Sequence, residues 1–206
     1  MTFLDGLPAA LASALATVAE SGAAFLPEAL DEGSLSSLSA EISAGPIRRY
    51  REQFGQVRQQ IEGFDLVAPF AGFPAVAHLA GELSRAVRSE GGGISGLRTW
   101  SINEAGIVVY RPRSIGITPH LDGRRYRRLV AVVTVRGRAE LSITLDRAGT
   151  VRESFDCRPG SITLLRAPGL AHVRDGRPFH AVGTPEEGER WAIGLRMTTR
   201  IAGGES

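Results

Sequence analysis

At 206 residues, with 43% hydrophobic and 22% charged side chains, the chain has the size and composition of one globular domain with a substantial core. Its net charge of +2 comes from 24 cations, all arginine, against 22 carboxylates, so a pI of about 9.2 reflects arginine used in place of lysine and is no nucleic-acid footprint. A single cysteine, Cys157, rules out an internal disulfide and makes a reducing, cytoplasmic location the default. The start Met1-Thr2-Phe3-Leu4-Asp5 lacks the positive flank of a signal peptide, and the apolar run Leu7 to Ala19 is too short to span a bilayer.

In chain order, the alanine- and leucine-rich segment 7–20 predicts a helix with Pro8 in its first turn, stopped by Ser21-Gly22. Ala23 to Leu26 predicts a short strand, and Ser34 to Ser43 a second helix with Leu35, Leu38 and Ile42 on one stripe. Residues 47–61 carry Arg48, Arg49, Arg51 and Arg58 among glutamines, which reads as a solvated loop with a substrate lid as the alternative. Segment 71–88 predicts a third helix burying Phe73, Val76, Leu79, Leu83 and Val87, with His78 partly exposed. Glu90-Gly91-Gly92-Gly93 then divides one domain into a helical support and possible lid (1–93) and a sheet core (94–200). In that core Arg98 to Ile102 and Gly106 to Arg111 can pair as a hairpin. Leu129 to Val135, Ala139 to Leu145, Val151 to Phe155 and Ser161 to Arg166 follow as short strands between glycine turns, the mark of an antiparallel sandwich or barrel. Pro168 to Arg177 reads as loop, and Ala202 to Ser206 as a frayed tail.

Chemistry concentrates between Tyr110 and Arg196. In an extended strand residues two apart share a face, so His120 and Asp122 can grip one ion while Leu121 turns away. A third ligand must come from a distant strand; His180 sits in the strand-like run Phe179 to Val182, whereas the alternative, His172, lies in a stretch that reads as loop. Two imidazoles and a carboxylate are the donor set of a mononuclear iron site with open positions. Arg190 to Met197 alternates cleanly: Arg190, Ala192, Gly194 and Arg196 form one face, a slot between two guanidinium groups suited to a dicarboxylate.

This order of residues resembles the Fe(II)/2-oxoglutarate-dependent dioxygenases, whose motif is His-x-Asp, a distal His, and a basic residue about ten positions beyond it. The pair Arg190 and Arg196 also resembles the Arg-x5-Arg signature of the AlkB-like branch. Tyr110 to His120 is similar to the Tyr-x-Pro-Gly segment ahead of the first ligand, with Arg113 where the family usually has glycine. The resemblance covers about the second half of the chain. It implies a mainly β fold with an N-terminal helical layer, a double-stranded β-helix (jelly roll, cupin-like). It also implies His120, Asp122 and His180 as metal ligands, Arg190 with Tyr110 on the far carboxylate of 2-oxoglutarate, and Arg196 near the iron-side carboxylate. Fe(II), 2-oxoglutarate as co-substrate and O2 would be required, with ascorbate stimulating turnover and succinate and CO2 released. A carboxylate at Asp122 fills the position a halide would need, which favours hydroxylation, demethylation or desaturation over halogenation.

Arg111 and Arg113 precede the His-x-Asp and Arg124, Arg125, Arg127 and Arg128 follow it. They either solubilise strand ends or line a mouth for an anionic small molecule. With aromatics at 6% there is no stacking platform beside them, which places a small metabolite ahead of nucleic acid. AlkB-like demethylation of alkylated nucleic acid is the runner-up, and a non-catalytic cupin-like metal- or ligand-binding module is the reading from another class. No membrane partner is expected, and oligomeric state is not legible in the sequence.

Overall fold

The structure, a computed structural model, describes residues 8–199; the tail at Ala202 to Ser206 lies outside the described residues. Helix α1 (Pro8–Ser21) and strand β1 (Ala23–Leu26) form where predicted. Helix α2 (Glu32–Ser43) starts ahead of the expected Ser34, because the Asp31 carboxylate accepts hydrogen bonds from the Ser34 N–H (2.8 Å) and hydroxyl (2.7 Å) and caps the first turn. Helix α3 (Pro74–Glu90) is tied to α2 at its start, where the Glu41 carboxylate accepts from the N–H groups of Ala75 (2.8 Å) and Val76 (2.9 Å).

Residues 47–61 are more ordered than a loop. They hold β2 (Arg48–Arg49) and a small hairpin, β3 (Gln53–Phe54) with β4 (Val57–Arg58). Next comes β5 (Glu62–Val67), which the sequence reading left unassigned. Its alternation buries Phe64 toward the helices and turns Gly63 and Asp65 to the other face, a pattern weakened on paper by Gly63 and by the polar run before it.

The expected hairpin partner at Arg98 to Ile102 is not a strand. Leu97–Thr99 is a 3-10 turn, Trp100 is fully buried with its indole N–H on the Leu129 carbonyl (3.0 Å), and the Ile102 N–H goes to the Ser84 hydroxyl (3.0 Å). With the Trp100 main-chain N–H turned back to the Leu97 carbonyl and that of Ile102 taken by α3, these donors are not free for a ladder. Strand β6 (Glu104–Tyr110) therefore pairs with β5 and with β13 (Arg190–Thr198). The remaining strands are β7 (Ile117–His120), β8 (Tyr126–Arg136), β9 (Ala139–Thr144), β10 (Val151–Cys157), β11 (Ile162–Arg166) and β12 (Phe179–Val182).

They build two antiparallel sheets, a seven-stranded one in the order β1-β11-β8-β13-β6-β5-β2 and a four-stranded one in the order β10-β9-β12-β7. Three strands of the large sheet, β1, β2 and β5, precede the glycine run at 91–93, so that run does not divide helices from sheet as expected. It marks only the turn out of α3. One face of the large sheet carries Ile107, Val133, Ile193 and Leu195 against Leu11, Leu15, Leu38, Leu79 and Leu83 of the helices. Each fully buried aliphatic side chain there contributes roughly 1.5–3 kcal/mol. The opposite face, with Tyr110, Val130 and Leu165, packs on Leu141, Ile143 and Val182 of the small sheet. The result is a mixed α/β arrangement of two facing sheets under a helical layer, with no ladder closing them into a barrel among the described residues. No helix among those residues is long and apolar enough to cross a membrane.

Candidate metal centre

The three residues predicted to share a metal do converge. Strands β7 and β12 are antiparallel neighbours whose register sets His180 directly opposite His120, with ring centroids 4.2 Å apart and planes tilted by 50°. Strand β12 is also fixed on its other side, where His180 pairs with Ile143; a slip of β12 by one residue would turn the His180 ring outward. Asp122 lies just past the end of β7, and its carboxylate joins the imidazoles so that all three ligand atoms fall within 4.8 Å of one another. His172 sits in the 3-10 turn Leu170–His172 with φ of +63° and does not join this group.

Both rings are preset for coordination. The Nδ1 of His120 lies 3.0 Å from the Thr118 carbonyl and that of His180 3.2 Å from the Pro178 carbonyl. A carbonyl only accepts, so each Nδ1 carries the hydrogen and each Nε2 presents a bare lone pair. Burial first, then the facing His180 ring, push His120 down to about 4 against the opposing pull of Asp122. The ring is neutral at physiological pH, the form that binds metals. Two imidazoles and one carboxylate, with positions left over, fit Fe(II).

Strand β13 brings the two arginines to the inner face of the large sheet, but in different states. Arg190 is fully buried and donates from Nη2 to the Thr134 hydroxyl at 2.9 Å, its guanidinium 5.3 Å above the Tyr110 ring. Its Nε and Nη1 have no hydrogen-bond partner, and no carboxylate of the described residues pairs with it. Buried unpaired guanidinium atoms are costly, and an external anion would satisfy them. Beside it, burial raises the Tyr110 phenol, with the Arg190 charge acting the other way, so the hydroxyl stays protonated and able to donate.

Arg196 has carboxylate partners for its charge, although its Nε is buried without a hydrogen bond. Its Nη1 lies 3.2 Å from Glu104 and 3.9 Å from Asp65, and its guanidinium stacks 4.8 Å from the Tyr126 ring centroid. Burial opposes its charge and is outweighed by Tyr126, Asp122, Glu104 and Asp65, so the net shift is upward. The slot expected between the arginines is thus partly filled by one of them. A Cβ on Gly194 would lie 2.8 Å from Nη2 of Arg196, and one on Gly106 2.7 Å from its Nη1. Because that guanidinium is pinned by Glu104, Gly194→Ala is expected to destabilise the protein by about 1–3 kcal/mol. The cost should shrink in an Arg196→Met background; equal thermal unfolding of Gly194→Ala and the parent protein would show that the guanidinium moves aside freely.

Between the sheets lies a cavity of about 200 Å³, lined by His120, Asp122 and His180, by Tyr110, Arg196, Gln59 and Ile61, and by apolar residues of both sheets. Residues 47–61 therefore reach the site: the Arg58 N–H bonds the Thr118 hydroxyl (3.0 Å), and Gln59 bridges to Ile117 at the start of β7. The arginines around His120 are largely engaged elsewhere. Arg111 pairs with Glu62 and Glu189, Arg125 with Glu104, and Arg124 with Asp175, while Arg128 donates to the Gly169 carbonyl. Arg113 has a left-handed φ of +66°, which accounts physically for glycine being usual at that place in the resembling family.

Two residues of the site escaped the sequence reading. Thr134 is one inward position of β8, recognisable only once the pairing of β8 with β13 is known. Arg177 was read as loop. Its guanidinium holds Asp175 through two bonds of 2.8 Å and donates from Nη1 to the backbone carbonyl of Asp122.

No family model matches the sequence, and no curated protein sequence does. Among solved structures, the chain superposes on a prolyl-4-hydroxylase from Pseudomonas putida with a TM-score of 0.65 at 15% identity, over 91% of this chain and 98% of that one. The non-heme α-ketoglutarate-dependent epimerase SnoN from nogalamycin biosynthesis gives a TM-score of 0.67 at 15% identity, over 97% and 92%. A 2OG-Fe(II) oxygenase family oxidoreductase from Burkholderia pseudomallei gives 0.64 at 15% identity, over 92% and 91%. The chain shares its fold with these three proteins along more than nine-tenths of its length.

Proposed function

We propose that the protein is an Fe(II)- and 2-oxoglutarate-dependent oxygenase that hydroxylates a small metabolite. The observation that carries this reading is the pairing of sites on facing sheets: three converging metal donors on the small sheet side and, on the inner face of the large sheet, a buried arginine with two unpaired nitrogens. Fe(II) bound there would supply O2 activation, with the balance 2-oxoglutarate + O2 + substrate C–H giving succinate + CO2 + substrate C–OH. The chain's own residues do the rest. Arg190, with Thr134 and Tyr110 beside it, receives the far carboxylate of the co-substrate. The bonds from Thr118 and Pro178 hold the imidazoles in the ligating tautomer, and Val130, Val132, Leu141 and Val182 keep the cavity wall apolar. Asp122 occupies the position a halide would take.

The facing antiparallel sheets support a double-stranded β-helix as the architecture, and the single buried cysteine supports a cytoplasmic location. The AlkB-like reading rests on Arg196, whose charge is already met by Glu104, so we place nucleic-acid demethylation second. A cupin-like module that only binds metal has no use for Arg190. The test is succinate release from 2-oxoglutarate with Fe(II), ascorbate and a panel of small carboxylates and phosphate esters. We expect succinate in step with hydroxylated product for at least one of them. Absence of succinate throughout, together with absence of metal-dependent 2-oxoglutarate binding, would overturn the proposal.

A further inference from the structure

We infer that Arg177 is a positioning residue for the metal centre: it clamps the main chain of Asp122 to the segment that carries His180, so that the donor set is assembled before a metal arrives. The inference rests on the metal reading above. Asp122 follows the end of β7, in the irregular stretch Leu121 to Gly123, where no strand ladder fixes its peptide. A carboxylate on such a loop is aimed only as well as its backbone is held. The Arg177 guanidinium supplies the hold, donating to the Asp122 carbonyl from a side chain that is 7% exposed.

The same guanidinium is itself immobilised by the two-pronged pair with Asp175, to which Arg124 adds a second cation at 3.5 Å. It is therefore an ordered fork and not a long side chain that must be frozen on metal binding. Its position in the chain gives the clamp its reach. Pro178, the next residue, provides the carbonyl that sets the His180 tautomer, and His180 follows two residues later. One short stretch, Asp175 to His180, thus orients a ligand on its own strand and a ligand on the neighbouring loop. Outer partners of this kind typically govern metal affinity by about 10- to 100-fold.

The experiment is a Co(II) titration of the full chain, followed by visible absorption, for the parent protein and for Arg177→Gln, Arg177→Lys and Asp175→Asn, with thermal unfolding of each metal-free form alongside. We expect one Co(II) bound by the parent, binding weakened about 10- to 100-fold in Arg177→Gln with an altered spectrum at saturation, partial recovery in Arg177→Lys, and an intermediate loss in Asp175→Asn. An altered spectrum at full loading reports ligand geometry, which a change in fold stability alone does not move. Parental affinity and spectrum in Arg177→Gln would overturn the inference while leaving the metal reading intact; no Co(II) binding by the parent would instead overturn the metal reading. Should Arg177→Gln fail to fold, parental affinity in both of the other variants overturns the inference equally.

Discussion

Replacing Arg190 by methionine is expected to weaken 2-oxoglutarate binding by roughly 30- to 1,000-fold and yet to stabilise the ligand-free protein by about 1 kcal/mol. The two effects have one cause. In the ligand-free protein the guanidinium is buried with a single hydrogen bond, to Thr134, leaving Nε and Nη1 unsatisfied. An apolar side chain of similar length removes that penalty, and the loss of the Thr134 bond offsets only part of the gain. With the co-substrate present the balance reverses, because a carboxylate that has left water then meets no cation, which costs about 2–4 kcal/mol. Metal affinity should stay within about twofold of the parent, since Arg190 is not among the clustered donors. Anaerobic calorimetric titration and urea unfolding read the two effects separately. Unchanged 2-oxoglutarate affinity would remove Arg190 from the site, and a marked loss of stability would show that the fold depends on its charge.

The second large effect is expected from His180→Ala, which should lower both metal affinity and turnover by about 10³-fold or more, while His172→Ala changes neither. His180 is opposite His120 in a fixed register, whereas His172 sits in a turn outside the cluster. His180 makes one hydrogen bond, to the Pro178 carbonyl, so its removal should leave the fold within about 1 kcal/mol of the parent and the loss is attributable to the site. Metal content after Fe(II) loading and succinate release measure both quantities. Normal loading of His180→Ala with loss in His172→Ala would exchange the two assignments.

The face shared by Arg190 and Arg196 was legible in the sequence because strand periodicity needs only spacing, and that run alternates without interruption; the same argument does not place Asp122, which joins His120 and His180 from an irregular stretch past the end of β7. What the two arginines do was not legible, because it depends on cross-strand partners. Glu104 lies opposite Arg196 and Tyr110 opposite Arg190 only through the pairing of β13 with β6. Gly194 likewise read as clearance for a ligand, when it also clears Arg196 itself. The misplaced hairpin has the same origin, since Trp100 and Ile102 alternate like a strand but spend their main-chain N–H groups on the Leu97 carbonyl and the Ser84 hydroxyl. Strand β5 was hidden by the polar run before it and by Gly63, which a sheet tolerates where a neighbour crowds in: a Cβ there would meet the Ile107 carbonyl at 1.9 Å.

The most direct test of a ferrous site coupled to a dicarboxylate receptor is an anaerobic titration of 2-oxoglutarate into Fe(II)-loaded and into metal-free protein. We expect one equivalent bound to the loaded form, at least about tenfold more tightly than to the metal-free form, because metal and arginine then hold opposite ends of one molecule. Equal affinity in both forms, or no binding in either, would contradict it.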